Sequence, residues 1–342
     1  MSKTIKNLYN KNLTFNKLYE AYQRSAKNKG NKKEVLKFNI DLESNLCNIL
    51  KLLKEEKYLP SKYHSFTIYE PKERLIKALP FKDRIVQQWY IYEFIIPYII
   101  PRFIKDSYAC IKGKGTHKAV NTVKFYMNKM KNKYNTYYVL KCDIKKYFYS
   151  VNKDILFNIM KEYIKDKKLL NLTKKLIYDG ESLIGLAVGN YTSQYFANIY
   201  LNKLDYYIKF NLKIKYYVRY CDDFVILLKN KEESKRVLEK IRIFLKENLN
   251  LELNKKSRYY KNIYGINFCG YRIFEKYKLL RNRSKRKIKK NVYIWNKEYL
   301  NNKLDYHMMR IKYNSFLSYS KHADSYRFRN KIYNSIIPNI YL

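Results

Sequence analysis

The 342-residue sequence predicts an α+β fold in which an antiparallel sheet is backed by helices. Three observations carry that expectation. The central segments read strand, helix, helix, strand–turn–strand, helix, strands, which places helices on one face of a sheet. Hydrophobic residues make up 46% of the chain, with only 8 Gly and 6 Pro, enough for two or three packed subdomains. The stretch "YYVRYCDDFVILL" holds two apolar runs around a turn, the pattern of a buried hairpin.

Residues 1–58 read as helical. In "DLESNLCNILKLLKEEKYLP" Leu42, Leu46, Ile49, Leu50 and Leu53 recur at helical spacing, and the run stops near Pro60. "SFTIYEPKERLIKALPFKDRIVQQWYIYEFI" alternates as a hairpin and passes into a helix after Asp83, a residue suited to an N-cap. "SYACIKGKGTHKAVNTVKFYMNKM" is a Gly-punctuated basic loop that opens a helix; it lacks the order of a phosphate-binding P-loop. "TYYVLKCDIKKYFYSV" is a strand ending near Asp143, and "NKDILFNIMKEYI" a helix capped by Asn152. "IGLAVGNYTSQYFANIYLNKLDYYIKF" is a Gly-containing loop and a long helix. After the acidic hairpin, "KEESKRVLEKIRIFLKENLN" puts Val237, Ile241, Phe244 and Leu245 on one helical face. "LELNKKSRYY" and "GINFCGYRIF" read as short strands, and from about Leu280 the chain is basic and helical. No repeat, linker or low-complexity tract separates independent domains.

Charge narrows the function. Lys and Arg number 72 against 29 acidic residues, a net charge of +43. That excess predicts a polyanionic partner, nucleic acid before an anionic membrane surface. Part of it follows from a composition rich in Lys, Asn, Ile and Tyr, although Glu has not risen in step. The 39 Tyr and 17 Phe residues supply flat faces on which bases can stack among the cations. Five scattered cysteines without a C-x-x-C pair argue against a zinc site and a disulfide framework and for a reducing setting. The N-terminal segment lacks the apolar core of a signal peptide. The longest apolar run, Trp89–Ile100, is too short to span a membrane and carries Glu93. The expected setting is the cytoplasm.

Against this background the adjacent Asp222 and Asp223 require an explanation. Neighbouring side chains on a strand point to opposite faces, so only a turn can bring both to one place. Their repulsion is costly unless a cation neutralises it, and Mg2+ takes a few carboxylates while leaving room for phosphate oxygens. Asp143, at the end of another apolar strand, is the natural third ligand. Three such carboxylates can hold two metals about 3.5–4 Å apart, a clamp suited to in-line nucleotidyl transfer. A solvent-exposed turn is the competing explanation of the pair.

Taken together, "KCDIKKYFYSV", "GLAVGNYTSQYFANIYLNKLD" and "YVRYCDDFVIL", with "PKERLIKALPFKDRIVQQ" before and "LNKKSRYY" and "NFCGYRIF" after, resemble the palm motifs of reverse transcriptases over about residues 60 to 275. The resemblance implies a right-hand polymerase: an N-terminal helical extension (1–58), fingers (59–135), palm (136–275, with a fingers insertion at about 152–184) and a basic helical thumb (276–342). It implies catalysis by Asp143, Asp222 and Asp223 with two Mg2+ ions, Ile144 adding its backbone carbonyl. Phe148 matches the steric gate against a ribose 2′-OH, favouring dNTPs. Lys72, Arg74, Val188, Gly189, Gln194 and Lys256 match nucleotide-binding positions, Lys256 as the proton donor to pyrophosphate. Arg84 is a weaker match, and Lys255 stands next to Lys256. Gly113, Lys114 and Gly115, with Tyr220, Phe268 and Gly270, match template and primer contacts. His117 has a structural or phosphate-facing role in this reading.

"VGNYTSQ", "KGKGTHKA" and "SFLSYSKHADSYRFRNKI" resemble diversity-generating retroelement enzymes and related bacterial and phage lineages, some of them defence-associated. The implied partners are a cognate structured RNA, its cDNA, dNTPs, and in the mutagenic type a small basic accessory protein, with homo- or hetero-oligomers also open. Val188 stands where many retroviral enzymes carry Gln. In this reading the stretch after the primer-gripping hairpin is expected to form a small helical thumb, with no room for the maturase and endonuclease domains of an intron protein, and no RNase H domain is evident. The rival readings are a defence enzyme copying a dedicated non-coding RNA, an RNA-directed RNA polymerase, and a non-catalytic RNA-binding protein of polymerase fold.

Overall fold

The computed structural model describes residues 4–69, 73–180 and 182–338. In chain order the helices α1 (Tyr9–Asn12), α2 (Phe15–Ala26), α3 (Lys33–Ile40) and α4 (Leu42–Lys54) precede the strands β1 (His64–Ile68) and β2 (Arg74–Ala78). Then come α5 (Phe81–Tyr90), α6 (Ile96–Tyr98), α7 (Thr116–Lys133), β3 (Tyr138–Asp143), α8 (Tyr147–Ser150), α9 (Lys153–Tyr163), α10 (Lys167–Ile177) and α11 (Tyr191–Tyr206). The hairpin β4 (Tyr217–Tyr220) and β5 (Asp223–Leu228) leads to α12 (Lys231–Leu249). Four short strands follow: β6 (Arg258–Lys261), β7 (Ile266–Phe268), β8 (Tyr271–Ile273) and β9 (Lys278–Leu280). The chain ends in α13 (Asn282–Leu300), α14 (Tyr306–Ser320) and α15 (Tyr326–Tyr333). The antiparallel sheets with helices are the α+β arrangement that the sequence predicts. Among the described residues no helix is long and apolar enough to cross a membrane.

The chain forms two compact units. One comprises residues 1–111, 143–213 and 239–255, the other 112–142, 214–238 and 256–342. In the first, β1 and β2 pair antiparallel from His64 opposite Ala78 to Ile68 opposite Arg74. This hairpin is mostly exposed, and it is anchored by the loop before α11: the Lys77 amide donates to the Val188 carbonyl at 2.8 Å. Gly189 has φ +125°, and a Cβ there would come within 2.8 Å of the Lys77 carbonyl oxygen. Glycine is therefore required at this crossing. The first amide of α11, Tyr191, donates to Gln87 Oε1 at 3.1 Å, so buried Gln87 of α5 satisfies a helix-end donor.

The second unit holds a four-stranded sheet in the order β4-β5-β3-β6 and a three-stranded sheet in the order β7-β8-β9. β4 pairs antiparallel with β5, Tyr220 opposite Asp223, and β3 pairs antiparallel with β6, Tyr138 opposite Lys261. The apolar runs of "YYVRY" and "FVILL" account for the buried residues Tyr217, Val218 and Phe224 to Leu228. Ile288, Val292 and Trp295 of α13 form a separate core with Met309, Tyr313 and Ile332.

The elements differ from the sequence reading in particular places. Asn152 caps α9 as predicted, accepting from the amides of Asp154 and Ile155. Asp83 is not an N-cap. α5 begins at Phe81 after Pro80, whose fixed φ and missing N–H suit a helix start, and Asp83 lies in the first turn. There its buried carboxylate accepts from the Tyr58 hydroxyl at 2.7 Å. The run from Leu251 is not a continuous strand: Leu253 forms one bridge to Ile144, and β6 starts only at Arg258. Lys278–Leu280, just before the predicted helical region, forms the edge strand β9. Phe244 is only partly buried and stacks on Tyr207, ring centroids 4.1 Å apart.

Replacing Gly189 by Ala should cost about 1–3 kcal/mol, because the positive φ and the Lys77 backbone both oppose a side chain. Urea and thermal denaturation measure it. An unchanged Tm would show that β2 and this loop part freely.

Candidate active site

The acidic pair occupies the turn between β4 and β5, with Asp222 in the turn and Asp223 opening β5. Cys221 bridges them to β4 with φ +57°, a left-handed conformation uncommon for a residue with a side chain. Its carbonyl is held at 2.9 Å by the guanidinium of Arg219, which is fully buried. Lys141 of β3 ion-pairs with Asp223 Oδ1. Lys141 also lies 5.2 Å from the ring centroid of buried Phe268. Asp223 Oδ1 is itself buried.

In the other unit Asp143, the last residue of β3, accepts from Asn254 twice. The Asn254 side-chain amide reaches Oδ2 at 3.1 Å and its backbone amide reaches the carbonyl at 2.7 Å. Ile144 is buried and bridges to Leu253, and Lys145 pairs with Glu252 at 2.8 Å. Partly buried Phe148 follows, its carbonyl accepting from the Leu186 amide at 2.7 Å. This bond joins the Phe148 turn to the loop of Val188 and Gly189, which in turn holds β2. A cavity of about 150 Å³ opens there, lined by Tyr63, Leu75, Lys77, Tyr149 and Val188 and floored by the Lys153–Asp179 ion pair at 3.0 Å. Desolvation and Asp179 push the Tyr63 hydroxyl far above its ordinary range.

Arg74 begins β2 and is exposed, and Lys72 lies outside the described residues. Arg84 is spoken for by an ion pair with Glu34. Gln194 is exposed on α11, its side-chain oxygen accepting from the Cys110 thiol at 3.4 Å. Lys256 and Lys255 are exposed residues of the turn before β6.

In the second unit, Gly113 and Gly115 take φ of +75° and +122° in the loop before α7, with Lys114 between them partly buried. Cys269 and Gly270 form the β7–β8 turn, both at positive φ. Tyr319 donates to the Gly270 carbonyl at 2.7 Å, and Tyr271 donates to the Tyr319 carbonyl at 2.8 Å. Burial pushes the Cys269 thiol up to about 12.

A family profile described as reverse transcriptase (RNA-dependent DNA polymerase) matches residues 64–273. The chain belongs to the reverse transcriptase family. A curated relative, the COX1/OXI3 intron 2 protein of Saccharomyces cerevisiae, is 25% identical over 39% of this chain and 23% of its own length. The chain thus spans about a quarter of that relative. Among solved structures, telomerase from Candida albicans in complex with a fragment of telomeric RNA superposes with a TM-score of 0.50 at 12% identity. It covers 84% of this chain and 61% of the telomerase, and it shows a shared fold.

The donor set suits the divalent metals used by reverse transcriptases. It consists of hard carboxylate oxygens. Among the described residues, however, no three His, Cys, Asp or Glu side chains are arranged around a common point. Asp223 is turned onto Lys141, and Asp143 onto Asn254.

Sequence reasoning missed Lys141 and Arg219 in this reverse transcriptase. Arg219 had a visible signal, as a lone cation inside the apolar run "YYVRY". Lys141 had a weaker one, as the single charge in "YYVLKC". His117 proves to be a packing residue of the second unit, stacked on His322 with ring centroids 3.6 Å apart and 3.3 Å from the Tyr271 hydroxyl. Desolvation, then His322 and Lys278, lower its pKa below the ordinary 6.5.

The unfolded chain therefore takes up a proton at His117 before the folded one does. Stability from this residue is intact above about pH 6.5 and falls as pH drops through the window below. Thermal denaturation between about pH 8 and pH 5 should show a shallower acid loss for His117→Gln than for wild type. Equal slopes would remove His117 from the acid response.

Proposed function

We propose that this reverse transcriptase chain copies an associated RNA into cDNA by two-metal nucleotidyl transfer, as the polymerase of a diversity-generating, mutagenic retroelement. The family match supports the polymerase. The observation that carries the reading is the neighbourhood of β3 and β5 in one sheet. β3 ends in Asp143, and its Lys141 reaches Asp223 at the start of β5.

In this reading Asp143, Asp222 and Asp223 bind two Mg2+ ions, with the Ile144 carbonyl as a further oxygen donor. When bound, the metals activate the primer hydroxyl and neutralise charge on the leaving pyrophosphate. The chain's own groups do the rest. Lys72 and Arg74 hold the triphosphate. The Phe148 ring takes the space a 2′-OH would need. Lys256 delivers a proton to pyrophosphate. Val188, Gly189 and Gln194 flank the incoming nucleotide, and the fixed backbone at Val188 and Gly189 supports such a surface. Tyr220, Phe268 and Gly270 bear on the primer end, while Gly113, Lys114 and Gly115 let the template backbone approach. The net charge of +43 supports RNA, cDNA and dNTPs, all anionic, as partners, and the resemblance to the diversity-generating type adds a small basic accessory protein.

Primer extension on an RNA template with Mg2+ tests the chemistry. The wild type should use dNTPs and reject NTPs, and Phe148→Ala should admit NTPs. Asn at Asp143, Asp222 or Asp223 should each slow synthesis by roughly 10³-fold or more. Undiminished synthesis in all three overturns the reading. Sequencing the co-purifying RNA and its cDNA tests the mutagenic assignment: a repeat copied with errors at template adenines supports it, and faithful copying of a dedicated non-coding RNA overturns it.

An aliphatic Val188 offers no polar contact to the nucleotide. Val188→Gln should lower misincorporation opposite template adenine by about 2–10-fold, the worth of one hydrogen bond. Deep sequencing of the product reads the ratio, and an unchanged error spectrum counts against the idea.

A further inference from the structure

Lys141 is a basic side chain in direct contact with the acidic turn. It lies two residues before Asp143, and side chains two apart on a strand share a face. Its ammonium rests between Asp223 Oδ1 and the face of Phe268. The Lys141 and Asp223 side chains are only 18% and 31% exposed, and Phe268 is fully buried. The pair is thus partly withdrawn from water and screened less than a surface pair. A cation–π contact of this kind gives the ammonium a second resting place once the carboxylate is taken away from it.

An ammonium and a metal ion cannot share Oδ1 at contact distance. We propose that Lys141 is a tethered counter-ion of Asp223: in the metal-free protein it occupies the carboxylate oxygen that a divalent cation takes, and metal binding displaces it onto the Phe268 face. This rests on the reading of Asp223 as a metal ligand. Lys141 is a positioning residue. It neutralises one charge of the Asp222–Asp223 pair before metal arrives, and it makes binding of metal alone weak because each binding event breaks the ion pair. Nucleotide, which brings its own phosphate ligands, shifts that balance toward the metal.

The experiment uses the full chain with Mn2+ or Mg2+ alone, without nucleotide or nucleic acid. Metal affinity comes from calorimetric titration, and the metal-induced rise in Tm is measured alongside. Lys141→Met should lower the metal-free Tm, bind metal at least about threefold more tightly than wild type, and gain more Tm from it. Lys141→Arg, which keeps the charge, should stay within about twofold of wild type. If the Met variant does not fold, Lys141→Gln gives the same expected shift. Asp223→Asn combined with Lys141→Met should abolish the gain. Equal or weaker metal binding by Lys141→Met, with Asp223→Asn still reducing it in the wild-type background, overturns the role of Lys141 and leaves the polymerase reading standing. Metal binding indifferent to Asp223 overturns both.

Discussion

Two carboxylates on consecutive residues repel each other, and the β4–β5 hairpin must hold them that way in the folded chain. The cost is met by cations set at fixed places around the turn. Buried Arg219 bonds the Cys221 carbonyl and holds the turn in a left-handed conformation that a side-chain-bearing residue would otherwise leave. Lys141 reaches Asp223 from the next strand of the sheet. A buried guanidinium is itself expensive to desolvate, so its presence makes sense only where negative charge and carbonyl oxygens are on hand to receive it. The turn and its cations therefore stand or fall as a set. The apolar strands on either side serve to place that set at the rim of a core.

Much of this was legible in the sequence because apolar alternation over four to six residues survives folding well. The hairpin around Cys221, the strand ending at Asp143, the cap at Asn152 and the helix beginning near Gly115 all rest on local pattern or local hydrogen bonding. What escaped depended on partners far along the chain. Asp83 looks like a cap when only its neighbours are considered. Pro80 starts the helix instead, and the carboxylate is used by Tyr58, a residue of the preceding segment. β9 is three residues long and has no periodicity to read; it exists because β8 offers an edge. Lys141 carries only a faint local mark, one charge in an apolar run, since the order of strands in the sheet sets it beside Asp223.

The site residues divide along the same line. The three aspartates follow from residue type and motif order, and among the described residues no three His, Cys, Asp or Glu side chains are arranged around a common point. The glycines at 189 and 270 are more firmly grounded, because a physical obstacle explains each one. Gly189 faces the Lys77 backbone, and Gly270 sits under the Tyr319 hydroxyl. Arg74 and Lys256 remain exposed charges whose roles depend on a substrate meeting them.

The loop that carries Val188 and Gly189 has a mechanical consequence for substrate choice. Its carbonyl at Val188 holds β2, the Leu186 amide beside it holds the Phe148 turn, and Asn190 donates to the Tyr63 hydroxyl at 2.6 Å. One short segment therefore fixes the strand that carries Arg74, the aromatic residue expected to test the sugar, and the wall of the 150 Å³ cavity. A loop tied at three points cannot adapt one of these surfaces without moving the others. If Phe148 and Val188 act as proposed, selectivity for sugar and tolerance of the base are coupled through backbone rather than set by independent side chains. An aliphatic residue at 188 changes the chemistry of that wall while leaving the ties, which are all backbone or distal, in place.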